Sequence, residues 1–264
     1  MEDQSQGQSE GQGAPQPPAP QAPVKAEYRI GDWLGKAWKL ATAQIWPMVL
    51  LGVIGIIIPG ALTGAVSFPI GFAIGQAIDN QIVAQLVSGL LGGIAGWIIT
   101  AVVITQLMVG IFAVVLAYIR TGEVNFSLLG TGFNKWTECF MLAVWPGILF
   151  AAGSALSCFV ILVLPLYLAL TLWYNFGQFA LAEAGVTQSE AVARGLALVK
   201  SNFWYAVLLI LLGMGISIAG MLGCCVGILF AAPIFWLTMG IGYNELTGGI
   251  AYVQAPEPTD QSGS

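Results

Sequence analysis

Long apolar stretches alternate with short polar breaks from residue 45 to residue 243, and the breaks are of two kinds. One kind carries Lys or Arg: Lys36 and Lys39, then Arg120 and Lys135, then Arg194 and Lys200. The other carries none, as at Asp79-Asn80-Gln81 and Gly223-Cys224-Cys225. Each apolar stretch between two basic clumps is long enough to cross a bilayer twice, and cationic loops stay on the cytoplasmic side. The pattern predicts an all-α, polytopic membrane bundle of six spans with short interfacial helices on the cytoplasmic side. Expected spans are Ile45–Phe68, Ala95–Ile119, Glu138–Leu162, Pro165–Leu181, Phe203–Leu222 and Val226–Tyr243. Ile82–Gly93 is expected as an outer or tilted extension of the second span, and Pro59 as a bend in the first.

Ahead of the inward-side span starts, the apolar period changes to that of an amphipathic helix. Over Tyr28–Ala43, Ile30, Trp33, Leu34, Ala37, Trp38 and Ala41 recur at helical spacing, with Lys36 and Lys39 on or beside the opposite face. Thr187-Gln188-Ser189-Glu190 reads as a capping box that opens a short helix ending near Lys200. Val192, Leu196, Val199 and Phe203 form its expected apolar face. Phe126–Lys135 is a third, shorter interfacial stretch. Such segments lie at the headgroups, lysines toward anionic lipid and aromatics at the boundary. The expected lipid-interface residues are therefore Trp33, Lys36, Trp38, Lys39, Trp46, Lys135, Trp136, Arg194, Lys200 and Trp204.

The three approaches resemble one another: a basic residue and an amide precede a Trp each time. With Trp46 laid on Trp204, Lys36 falls on Arg194 and Gln44 on Asn202. Two readings follow. The chain is three parallel repeats of an interfacial helix plus a helical hairpin, or three independent span starts obey one interface rule.

Composition sharpens the class. The chain is 57% hydrophobic and 8% charged, with mean hydropathy +0.83, far from the ~25% charge of soluble domains. The net charge of −5 comes from the terminal acids Glu2, Asp3, Glu10, Glu257 and Asp260. No basic face remains for nucleic acid. Residues 1–27, rich in Gln, Pro and Gly, read as a disordered tail without the form of a signal peptide. Residues 28–248 make the membrane domain, and 249–264 an acidic tail expected to be disordered.

Candidate chemistry is sparse. Histidine is absent, which removes the commonest general base. No zinc spacing, P-loop or paired intramembrane carboxylates occur, so no enzyme activity, metal or cofactor is expected. Cys158 and the Cys224–Cys225 pair fall near the outer side, where a disulfide is geometrically open; small buried side chains are the alternative. Gln106, Asn175 and Gln178 either line a polar path or bond neighbouring helices.

The runs Pro165–Leu170, Leu181–Gly185 and Glu190–Trp204, with the turns Arg120–Glu123 and Cys225–Gly227, resemble a family of poorly characterised bacterial six-span membrane proteins. That family is related to the membrane domain of some glycerophosphodiester phosphodiesterases. The resemblance covers roughly residues 30–250 and implies fold and topology; no phosphodiesterase domain is present. The family often has two adjacent acids where Ala182-Glu183 stand, and Ser where Gly195 stands. The expectation is a non-enzymatic protein of the inner membrane with both termini cytoplasmic. It binds membrane lipids, a membrane protein partner or a second copy through its interfacial helices. A small-molecule transporter or channel, and an accessory subunit of a larger complex, are the alternatives.

Overall fold

In hydrocarbon every backbone N–H and C=O must find its partner within the same segment, and this sequence meets that demand with helices alone. The computed structural model describes residues 30–155, 160–222 and 226–248, and no strand occurs among them. A first short helix, α1 (Ile30–Ala43), precedes two long ones. The first joins α2 (Ile45–Gly52) through a π-helical turn at Val53–Ile57 to α3 (Ile58–Ala77). The second joins α4 (Gln81–Ile99) through another at Thr100–Ile104 to α5 (Thr105–Thr121). A 3₁₀ turn (Phe126–Gly130) and α6 (Thr131–Asn134) lead to α7 (Trp136–Ala155) and α8 (Val160–Ala182). The last elements are α9 (Gln188–Ser201), α10 (Phe203–Leu222) and α11 (Val226–Leu246).

Among the described residues, four helices are long and apolar enough to cross a membrane: Ile45–Ala77, Gln81–Thr121, Phe203–Met221 and Gly227–Leu246. That marks the chain as a membrane protein. The first of them runs past its expected end at Phe68. Ile82–Gly93 and Ala95–Ile119 form one continuous helix rather than a span and an appendage. α8 begins at Val160, so Pro165 lies in its second turn and not at its start. Pro59 produces no break: the preceding turn widens to π geometry. A proline ring crowds the carbonyl four residues back, here Gly55, and the wide turn lets that carbonyl move aside.

Three features recur at matching places in the chain. Gln44, Lys135 and Asn202 each form a one-residue joint between a short helix and a long one. Their φ/ψ values are −132/66, −105/39 and −131/40 degrees. Each joint's carbonyl accepts from the N–H four residues on, at Met48, Cys139 and Ala206. Those three residues are buried, as are Leu51, Leu142 and Leu209 one turn further. A glycine of positive φ then follows each of α5, α8 and α11 within three residues of the helix end: Gly122 (77°), Gly185 (76°) and Gly248 (68°). Only glycine holds that left-handed cap without a Cβ penalty.

The short helices match as well. α1 and α9 both have 14 residues, and the pairs Trp33/Ala191, Ala37/Gly195, Leu40/Leu198 and Ala41/Val199 are buried at equivalent positions. The register that aligns the joints puts Trp46 and Trp204 two residues beyond them but Trp136 only one. Each short element packs on the second arm of the preceding hairpin: the 3₁₀ turn and α6 on α5, α9 on α8, and α1 on α11. The ring therefore closes on itself, as three parallel repeats would.

The second arms meet in the middle. Phe112 of α5 stacks on Phe179 of α8 at 4.1 Å between ring centroids, and Phe179 stacks on Tyr243 of α11 at 5.7 Å. Aromatic pairs in this geometry add to the contact area they bury.

Candidate functional site

The basic residues of the described chain gather where the second arms end. Glu183 stands one residue past the last turn of α8 and takes Arg120 Nη2 on one carboxylate oxygen at 2.7 Å. Arg194 Nη1 of α9 meets the other oxygen at 3.0 Å. Arg120 Nε also donates to Asn244 Oδ1 of α11 at 3.2 Å. One guanidinium thus ties α5 to both other second arms, a use of the planar fork that lysine cannot copy. Lys135, at the joint before α7, donates to the carbonyls of Leu181 (2.7 Å), Glu183 (2.7 Å) and Val186 (3.4 Å). These are carbonyls at and just beyond the C-terminus of α8, where helix geometry leaves oxygens unpaired and a cation is favoured. Burial pushes the Lys135 ammonium below its ordinary range, against the opposing pull of Cys139, Glu138 and Glu183.

A second pairing repeats the first at the equivalent place. Lys36 of α1 meets Glu245 of α11 at 2.9 Å, as Arg194 of α9 meets Glu183. The Trp33 indole N–H donates to the same Glu245 carboxylate. Trp33, expected at the headgroups, is fully buried instead. Its ring lies over Gly242 and beside Tyr205, and its one polar atom is satisfied by Glu245. Tyr118 Oη to Leu40 O (2.8 Å) and Gln44 Nε2 to Gly122 O (3.2 Å) fasten α1 and its joint to the end of α5.

α9 opens with the expected capping box between Thr187 and Glu190. Its buried face differs from the expected one: Ala191, Gly195, Leu198 and Val199 face inward, while Leu196 and Phe203 are more than 40% exposed. Close packing on α8 selects the small residues. A Cβ on Gly195 would lie 3.0 Å from both Gly177 N and Trp173 O. Trp173 Nε1 donates to Val192 O at 3.2 Å on the same contact.

The remaining interface candidates divide. Lys135 and Arg194 are tied into the network, and Lys36 is held by Glu245. Lys39 and Lys200 are exposed, as are Trp38, Trp46, Trp136 and Trp204. Trp46 and Trp204, two residues past matching joints, are 82% and 69% exposed. Cys158, Cys224 and Cys225 lie outside the described residues; Cys139 is a buried free thiol.

The polar side chains of α5 and α8 turn inward. Gln106 and Gln178 are buried and Asn175 half-buried. Asn175 Nδ2 bonds Thr171 O of its own helix at 2.8 Å. Gln106 Nε2 and Thr105 Oγ1 reach back to Ala101 O (3.0 Å) and Thr100 O (2.8 Å), carbonyls of the π turn. Thr105 also meets Tyr174 Oη at 2.6 Å, and Gln178 bonds the same Tyr174. Two of the three amides thus serve their own helices. Gln178 joins a Thr–Tyr pair that side-chain spacing does not reveal.

Arg120 and Glu183, seen in the sequence only as a basic break and as part of a family motif, were not among the candidate site residues, and Asn244 and Glu245 were not noticed. Arg120 and Asn244 are 124 positions apart, and no local spacing connects them. The matching αL glycines are the one signal that could have brought these helix ends together. Among the described residues no three His, Cys, Asp or Glu side chains form a metal-ligating group. No family model, curated protein or solved structure matches the chain.

Proposed function

We propose that the chain is a non-enzymatic six-span protein of the cell membrane, with both termini in the cytoplasm, whose short helices hold anionic lipid headgroups. α7 and α8, of 20 and 23 residues, complete six spans with the four long apolar helices. Kinship with the six-span bacterial family is part of this reading. Arg120, Lys135, Arg194 and Lys36 all meet the ends of the second arms, so one end of the bundle carries its cations, as the positive-inside rule requires.

The observation that carries the lipid reading is the division among those cations. Four are bonded within the chain, while Lys39 and Lys200 remain exposed near joints followed by exposed Trp46 and Trp204. Basic residues beside boundary tryptophans attract anionic headgroups by about 1 kcal/mol each. In proteoliposomes, spin-labelled phosphatidylglycerol should associate with the chain in preference to phosphatidylcholine. Lys39→Gln combined with Lys200→Gln should remove most of that preference. An unchanged preference in the double variant rejects the lipid role, and a reporter at residues 122–125 read outside the cell rejects the topology.

A further inference from the structure

α1 and the α10–α11 hairpin enclose a groove of about 600 Å³ whose walls include Leu34, Trp38, Phe230 and Ile234. Gly31 and Gly35 lie along its α1 side, and a Cβ on either would meet nothing within 4 Å. Glycine is the poorest helix former after proline, so two of them in a 14-residue helix call for a reason. Packing supplies none at these two sites, in contrast to Gly220 and Gly227 on the facing wall, which touch one another's backbone. The fold does not demand them either: the equivalent positions of α9 are Ser189 and Ala193. What the two glycines do is keep the groove open.

We infer that this groove holds one acyl chain of an anionic glycerophospholipid, with its phosphate at Lys39. The lining carries no charged side chain, and its one hydrogen-bonding side chain is that of Trp38, which fits hydrocarbon with a polar group at one place on the wall. The volume lies in the range of small-ligand sites, ~300–1,000 Å³. It is too small for a helix of a partner or a second copy: at ~10 Å across, 600 Å³ takes only about one and a half turns. The residue that follows Trp38 in α1 supplies the complementary charge. Lys39 is exposed next to Trp38, whose ring is 58% exposed at the groove, and Lys36 beside it is already neutralised by Glu245. The inference rests on the membrane placement and headgroup reading proposed above, and narrows them to one bound lipid.

The test is native mass spectrometry of the full chain in mild detergent, titrated with dioleoyl phosphatidylglycerol and, separately, dioleoyl phosphatidylcholine. The wild type should retain one phosphatidylglycerol more tightly than one phosphatidylcholine. Gly35→Leu, whose Cβ would meet nothing within 4 Å, places its side chain in the groove and should weaken retention of both lipids at least about tenfold. Gly35→Ala, which stabilises the helix, serves as the folding control. Lys39→Gln should equalise the two lipids while retaining the chain-dependent binding. Unchanged retention by Gly35→Leu overturns the groove site. Equal retention of both lipids by the wild type overturns the headgroup assignment instead. A change of oligomeric mass in Gly35→Leu makes the groove a protein contact and overturns the lipid.

Discussion

Gly195 of α9 lies against Gly177 of α8 so closely that a Cβ on Gly195 would stand 3.0 Å from the Gly177 nitrogen. This approach lets Arg194, the preceding residue, reach Glu183. Gly195→Leu should push α9 off α8 and lose about 1–3 kcal/mol, the range for overpacking a tight contact. Thermal unfolding in detergent should show a lower midpoint, with a much smaller change for Ala197→Leu on the exposed face of the same helix. Equal midpoints for the two variants would mean that α9 does not depend on this contact.

Removing Arg120 should cost more than removing Arg194. Arg120 links α5 to both Glu183 and Asn244, whereas Arg194 pairs with Glu183 from beside Tyr243 and is 38% exposed. Solvent screens both pairs, so Arg120→Ala is expected to cost about 1–2 kcal/mol rather than the larger loss of a fully buried pair. Arg120→Lys should recover little, since an ammonium cannot span the two acceptors. Denaturant titration of the three variants ranks them; Arg194→Ala as the most damaging would contradict the role of Arg120 as hub.

The buried amides should be energetically quiet. Tyr174→Phe deletes the hydrogen bonds of its hydroxyl to Thr105 and Gln178, a loss of about 1 kcal/mol by the average for such bonds in membranes. Gln106→Leu removes a buried carbonyl oxygen that has no partner along with one modest bond, so its net effect should lie within about 1 kcal/mol of zero. A loss of several kcal/mol from Gln106→Leu in unfolding experiments would show that the amide holds something beyond its own helix.

The three αL glycines predict a matched set of effects. Gly122→Ala and Gly185→Ala each place a Cβ at a φ near +77° and should cost about 1–2 kcal/mol. Gly122→Asn and Gly185→Asn should cost less, because asparagine tolerates that region. Similar losses at both sites, read by thermal unfolding, fit equivalent helix ends. A large loss at one and none at the other would leave the repeat without an energetic counterpart.

Much of the architecture was legible because it depends on local signals. Apolar length placed the helices, and the capping box at Thr187 placed the start of α9. The alignment of Gln44 with Asn202 pointed to the repeat, which backbone angles at the joints now support. Two kinds of error have physical causes. The buried face of α9 was misjudged because hydrophobicity marked Leu196, while close approach to α8 required Gly195. Trp33 was assigned to the surface because its partner, Glu245, lies 212 positions away. Long-range charge pairing leaves no periodic trace, so the network around Glu183 stayed hidden although every one of its ions could be seen.

The first hairpin has arms of 33 and 41 residues, and the helices after α6 that form the other hairpins have 20 to 23. At ~1.5 Å per residue these are lengths of ~50 and ~60 Å beside others near ~30 Å. No slab of uniform depth suits both. Slant, local thickening of the lipid around α3 and α4, or helix ends that run on past the hydrocarbon take up the surplus. The tilt of that hairpin is therefore expected to follow bilayer thickness more closely than the tilt of α10 and α11 does.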